Sequence, residues 1–397
     1  MENCLFTKRN EAIDMLRGLT MLLMVFVNDL WSVGGVPHFL EHFEMFEDGM
    51  GVSDFVFPMF LFAMGMSIPY ALERRYSKGC TGESTLKHIL SRTLALVLMG
   101  VFIVNTEGGF DSTLGYGKNF YRVLMAAAFF LIWNTYPAGF KAKKWLQALG
   151  VAVLAFLALT FRTPEGGFFS AQWWGILGII GWTYCFCAVA YMLVREKPVR
   201  IFLIWLGLIA LNMLLTVKRG GGRIIDGPSF IGDMAGVLRL GNASSAIMAT
   251  GGMLLSLAER RLAARPARLR LGCAFAASAL LAAAAAVSHH WWITSKLIGT
   301  LPFCLYVSAL SVAVYALLRV MEAYGRTSWF RLIRPAGTAT LTVYIMPYIL
   351  YSLFGFAGLY TFDGLAGILG LLKCALFSFL CVGLAGLLSR VGVRLKI

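Results

Sequence analysis

The sequence predicts an all-α polytopic membrane protein, a bundle of about ten to twelve transmembrane helices with both termini in the cytoplasm. Three observations carry that prediction. Hydrophobic residues make up 59% of the 397 residues and charged residues only 14%, against about 25% charged in a soluble domain. Apolar runs long enough to cross a bilayer recur along the whole chain. The formal net charge is +15, yet the bases gather in alternate loops. A basic balance can signal nucleic-acid binding, but here the bases are too few and the apolar runs too long, so no nucleic-acid partner is expected.

A hydrocarbon core of ~30 Å takes about 20 apolar residues per helix. Such runs lie near 13–32, 54–73, 87–105, 119–136, 145–161, 173–194, 200–217, 240–257, 269–287, 298–319, 336–356 and 365–389. Those at 145–161 and 200–217 are short, and 240–257 starts polar, so ten or eleven spans would also fit. With Lys8 and Arg9 inside, most of the 35 bases fall in inside segments, including Arg74, Arg75, Lys141, Lys143, Lys144, Arg260, Arg261, Arg331 and Arg334. This is the positive-inside pattern. The 218–239 loop, with Lys218, Arg219, Arg223 and Arg239, is its weakest point. The run after Arg17 continues to Trp31 without a small-residue cleavage site, so no cleavable signal is expected. The eight cysteines suggest neither a disulfide framework nor a zinc site.

Ionisable groups at membrane depth are functional candidates, and the first two spans concentrate them. EAIDMLRGLTMLLMVFVNDLW carries Asp14 and Arg17 at one end and Asn28 and Asp29 at the other, with Arg17 and Asn28 roughly 16 Å apart along a helix. Asp14 and Arg17, at i and i+3, can pair on one face or leave the arginine for an anionic donor. The loop after this span holds His38, Glu41, His42, Glu44, Glu47 and Asp48 among Phe39, Leu40, Phe43, Met45 and Phe46. Such an apolar loop is expected to fold back over the bundle mouth. Histidine is a general base near neutral pH, and a neighbouring carboxylate can orient it. Asp54 opens the second span, where it can also cap the helix. The carboxylates lack calcium-loop spacing, and no metal is expected.

IDMLRGLTMLLMVFVND, a loop histidine, and SDFVFPMFLFAMGMSIP together resemble the heparan-alpha-glucosaminide N-acetyltransferase family, more closely its bacterial inner-membrane branch. IVNTEGG, YRVLMAAAFFLIWNTYP, ITSKLIGTLP and PAGTATLTVYIMP follow in the family's order. The resemblance implies a multi-pass acetyltransferase of the bacterial inner membrane, one transmembrane domain over 1–397 with the loop 33–53 above it. Acetyl would pass from cytoplasmic acetyl-CoA to an amino-sugar or glycan acceptor on the periplasmic side. It implies His42 as the catalytic residue, with the FLEHF context favouring it over His38. Asn28 matches the family's VN pair, Asp54 the aspartate before VFP, Arg122 the arginine opening the fourth span, and Lys296 the SK-type lysine. Three departures bear on the acceptor more than on the fold: a slightly longer His42–Asp54 segment, the GNASSAIMAT stretch without an acidic start, and Ala339 where many relatives have Asn.

The residues fit that chemistry. His42 can take the acceptor proton or carry the acyl group, Asp54 can orient the imidazole, and Asn28 can stabilise the thioester oxyanion. Asp29, Arg122, Lys296 and Glu107 are candidates for substrate binding, although Arg122 and Lys296 could instead pair with Asp111 or Glu107. Arg17 and Arg92 are candidates for the CoA phosphates. The expected partners are acetyl-CoA, the amino-sugar or glycan acceptor and the lipid bilayer, with a homodimer as the assembly to test for. Two other classes compete. A proton-coupled transporter of N-acetylglucosamine or an oligosaccharide would use Asp29, His42 and Asp54 as its relay, although no internal repeat is visible. The related acyltransferase type 3 group shares the D-x-x-R-G opening but usually ends its first span with the histidine, where this chain has Asn28 and Asp29.

Overall fold

The computed structural model describes residues 10–225, 227–359 and 364–397; the basic pair Lys8 and Arg9 lies outside them. The architecture is all-helical: α1 Glu11–Asp29, α2 Val52–Ser77, α3 Gly82–Asn105, α4 Lys118–Trp133, α5 Lys143–Thr160, α6 Ile176–Val194, α7 Pro198–Leu215, α8 Phe230–Val237, α9 Ser244–Arg261, α10 Ala267–Ser288, α11 Leu301–Ala323, α12 Phe330–Thr338, α13 Thr340–Phe356 and α14 Gly367–Arg390. Two short strands, β1 Asp111–Ser112 and β2 Phe161–Arg162, pair antiparallel.

Each expected apolar run coincides with a helix. Among the described residues, eight helices are long and apolar enough to cross a membrane, or up to nine if a bent pair counts as one span. The others explain the gap from twelve. Helix α1 carries Glu11, Asp14, Arg17 and Asp29, α4 has 16 residues, and α9 carries three serines and Thr250 and ends in Glu259, Arg260 and Arg261. The 336–356 run is not one straight helix. It overlaps α12 and α13, which meet at 93°, because Ala339 leaves the helical region at φ −120° and ψ 41°. Helices α5, α7 and α10 expose most of their apolar surface, as suits helices facing hydrocarbon, where backbone groups must be satisfied within the helix.

The chain forms two compact units: residues 1–20, 37–93 and 182–331 in the first, and 21–36, 94–181 and 332–397 in the second. In the first unit, α2 packs closely on α9, and α10 lies along α11. Small residues allow the α2–α9 contact. A Cβ on Gly252 would stand 2.1 Å from the Phe62 carbonyl oxygen, and one on Gly65 1.9 Å from that of Ala249. Ser256 Oγ donates across the seam to Met66 O at 2.8 Å. Gly252→Leu is therefore expected to cost about 3 kcal/mol or more, at the upper end of overpacking penalties because the obstacle is backbone. Thermal unfolding in detergent measures it; an unchanged midpoint would contradict the close contact.

In the second unit, α4 packs against α5 and α13, and α13 against α14. A Cβ on Gly100 of α3 would approach the Gly178 amide of α6 to 2.6 Å.

Candidate active site

The α1–α2 loop is shaped by its own polar groups before it meets anything else. Pro37 starts a 3₁₀ turn over His38–Leu40, and Ser53 Oγ donates to Leu40 O at 2.5 Å. The two loop histidines are held differently. His38 Nε2 lies 2.6 Å from Glu47 Oε1, and its ring stacks on Phe43 with centroids 4.4 Å apart. The hydrogen bond to Glu47 pushes the His38 pKa up. His42 instead turns back to the first turn of α2. Gly51 permits the turn, since a Cβ there would lie 2.1 Å from Glu41 O.

His42 Nδ1 lies 2.8 Å from Asp54 Oδ1. Asp54 Oδ2 accepts the backbone N–H groups of Gly51 at 3.0 Å and Phe43 at 3.1 Å, so the carboxylate caps α2 while its other oxygen faces the imidazole. The Asp54 side chain is 1% exposed and that of His42 50%. Lys296 Nζ reaches 3.1 Å from His42 Nδ1 and 3.6 Å from Asp54 Oδ1. With the proton on Nδ1 the ring donates to Asp54, and the Lys296 ammonium then meets the pair through the charge on Asp54 rather than through a hydrogen bond to Nδ1. Nε2 then carries the lone pair of the half-exposed ring. Burial lowers the Lys296 ammonium below the usual lysine value, against the opposing pull of Asp54.

Lys296 is 254 residues from His42 and is brought there by loop docking. Thr294 N donates to Asp48 Oδ1 at 2.8 Å, Gly49 N to Thr294 O at 2.9 Å, and Ser295 Oγ to Met45 O at 2.7 Å. Asp48 also receives His289 Nε2 at 2.8 Å and Arg219 Nη2 at 2.6 Å. Beneath the lysine, Asn242 Nδ2 donates to Ile298 O, and Asn212 Nδ2 to Gly299 O at 2.8 Å. Sequence reading missed Asp48, Arg219, His289, Asn212 and Asn242 as parts of this arrangement. Asp48 stands among the loop carboxylates that the sequence marks, and Arg219 in the 218–239 loop where the charge alternation is weakest, but neither signal names its partner. The pairing of Arg219 with Asp48 accounts for one of the misplaced charges of the 218–239 loop.

Burial alone would raise the Asp48 carboxyl, but the Thr294 amide, His289 and Arg219 outweigh it and hold the group below the ordinary carboxylate value. The sign follows from that direction. The docking contribution of Asp48 is complete above about pH 4, the unfolded value, and is lost as pH falls through the lower native value. Pepsin cleavage within 37–51 should therefore rise on acidification in the wild type relative to Asp48→Asn; parallel curves would refute the link.

The other sequence candidates fall elsewhere. In the second unit, Asn28 is exposed at the end of α1, while Asp29 is fully buried. Asp29 Oδ1 accepts from Tyr351 Oη and from Lys373 Nζ at 2.9 Å. Lys373 also donates to Ser32 Oγ at 2.6 Å. The signal for this pair was a lysine inside an apolar run, which must find a partner at that depth. Arg122 lies over the Tyr348 ring at 5.9 Å and donates to Thr106 O at 3.4 Å. Tyr348 Oη lies 3.5 Å from Glu107 Oε1, and burial raises the Glu107 carboxyl. Within 4 Å, Arg122 has no ion pair with Glu107 or Asp111 among the described residues. In the first unit, Arg17 pairs with Asp14 at 2.5 Å, and Arg92 sits over the Tyr184 ring at 4.6 Å. The structure thus brings together His42, Asp54 and Lys296, and separately groups Glu107 with Arg122 in the second unit.

The chain is similar to the heparan-alpha-glucosaminide N-acetyltransferases of Mus musculus, at 38% identity over 97 residues, and of Homo sapiens, at 36%. The matched segment is 24% of this chain and only 14% of each relative, so most of those proteins has no counterpart in the match. A family model described as a domain of unknown function (DUF5009) matches residues 9–221, more than half of the chain. On that coverage the chain belongs to the DUF5009 family, and it is related in sequence to the heparan-alpha-glucosaminide N-acetyltransferases.

Proposed function

We propose that the protein is a transmembrane acetyltransferase acting as a single domain, using acetyl-CoA as donor and an amino-sugar or glycan as acceptor. The observation that carries the reading is the His42–Asp54 pair: a buried, doubly amide-bonded carboxylate orients a half-exposed imidazole. That is how a general base is presented to a substrate. The 97-residue similarity to N-acetyltransferases supports the acyl-transfer class.

In this reading the acceptor amine or hydroxyl loses its proton to His42 Nε2 as it attacks the thioester carbonyl. Asp54 stabilises the imidazolium that forms. Collapse of the tetrahedral adduct breaks the C–S bond, and the imidazolium returns its proton to the departing thiolate. Lys296, already beside His42 and Asp54, is proposed to bind the acceptor. In the second unit Glu107 and Arg122 form a separate group proposed to bind substrate, and Asn28 lies exposed at the end of α1. Arg92, which has no ion pair among the described residues, is the better placed of the two arginines for a CoA phosphate, since Arg17 is engaged by Asp14. The donor would enter from the basic, cytoplasmic face, and the acceptor would meet the acidic loop on the other side. The test is transfer from acetyl-CoA by purified protein across a panel of amino sugars and glycans. Wild-type turnover that disappears in His42→Ala supports the reading. Substrate uptake into proteoliposomes without acetyl-CoA would overturn it in favour of a transporter.

A further inference from the structure

The carboxylates of the α1–α2 loop do not all serve the loop itself. Glu47 is held by His38 and by the Glu44 amide, and Glu41 lies 3.8 Å from His38. Asp48 reaches out. Its Oδ1 accepts from His289 Nε2 and from the Thr294 amide, and its Oδ2 from Arg219 Nη2. Arg219 in turn is tied to the same segment, with its amide donating to Trp291 O at 2.8 Å. One carboxylate therefore joins the loop to the connection after α7 and to the connection between α10 and α11.

We infer that Asp48 is a positioning residue for the candidate active site, holding Lys296 against His42 and Asp54. This rests on the acetyltransferase reading. Thr294, whose amide Asp48 accepts, is two residues from Lys296, and the neighbouring bonds Gly49 N to Thr294 O and Ser295 Oγ to Met45 O close the same seam. A lysine tip can hold a 3.1–3.6 Å approach to two groups only if its backbone is anchored, because its four-carbon stem is flexible. Lys296 supplies the counter-charge facing the buried Asp54 carboxylate. Releasing the Asp48 clamp withdraws that charge without removing any group from the His42–Asp54 pair.

The experiment compares Asp48→Ala and Asp48→Asn with the wild type in the full-length protein, folding being checked by monodispersity in detergent. Two readouts are taken. One is the rate of reductive methylation of Lys296, read by mass spectrometry. The other is kcat and KM for acetyl-CoA with glucosamine as the acceptor probe. Asp48→Ala is expected to label Lys296 several-fold faster and to lose roughly 10–100-fold in kcat, the cost of a misplaced group about 1 Å out of position, with KM for acetyl-CoA unchanged. Asp48→Asn, whose carbonyl oxygen still accepts the Thr294 amide, is expected between the two. Unchanged Lys296 labelling in Asp48→Ala overturns the inference. So does faster labelling with wild-type kcat. If the wild type itself transfers no acetyl group, the acetyltransferase reading fails, and the labelling rate alone decides whether Asp48 positions Lys296.

Discussion

His42→Ala is expected to lower acetyl transfer by about 10²–10⁴-fold, the usual range for losing a positioned general base, with the protein still folded. The side chain is half exposed and makes its hydrogen bond at the start of α2, so its removal takes away little packing. Asp54 keeps its two amide bonds from Gly51 and Phe43 in that variant, which leaves the helix cap intact. Asp54→Asn tests the orientation separately. An asparagine whose carbonyl oxygen takes the two amides presents its NH₂ to the imidazole and favours the wrong tautomer. The expected loss is again about 10²–10⁴-fold, as for carboxylates that fix a catalytic histidine. His38→Ala is the control. His38 is occupied by Glu47, so a small effect is expected there. Steady-state transfer assays with all three variants decide the matter, and wild-type rates for His42→Ala would remove the histidine from the mechanism.

Lys373→Met should destabilise the protein by about 3–5 kcal/mol, the cost of leaving a buried charge without its partner. Asp29 is fully buried and faces Lys373 at 2.9 Å. Besides Lys373, its carboxylate meets the Tyr351 hydroxyl and the Cys374 thiol, neither of which carries a positive charge. Removing the ammonium leaves these two neutral donors and no counter-charge. The double variant Asp29→Asn/Lys373→Met should recover much of the loss, because neither charge then remains to be desolvated. Denaturant or thermal unfolding in detergent across the four-member cycle reads the coupling. Additive single effects would show that the ion pair contributes nothing as a pair. Because Asp29 directly follows Asn28, the same variants also report on how firmly the end of α1 is held.

How much of this was legible beforehand differs by feature. The helical runs were visible because a span must be apolar over its own length, and that demand is met residue by residue. Helices α1, α4 and α9 blurred the count because Asp14, Arg17 and Asp29, the 16-residue length of α4, and the three serines and Thr250 of α9 all depart from a simple lipid-facing pattern. The bend at Ala339 was not legible, since a 93° turn leaves hydropathy unchanged. His42 and Asp54 were readable as a pair because they lie only 12 residues apart in a loop with a helix start at its end. Lys296 was legible through resemblance and a motif, while its neighbours Asp48, Arg219, His289, Asn212 and Asn242 were not.

By itself, then, the sequence determined a multi-pass helical membrane protein, the positions of its helices, and a histidine–carboxylate pair formed by the loop before α2 and that helix's first turn. These follow from local composition and short spacing, which the solvent and the chain's own geometry enforce. Only the tertiary structure decided which lysine faces that pair, that Asp48 clamps the two loops, and that Lys373 neutralises Asp29. Those partners are 171 to 344 residues apart. Their meeting depends on how closely particular helices approach, as at Gly65, Ala249 and Gly252, and a sequence with 42 glycines offers many seams of that kind without saying which ones close.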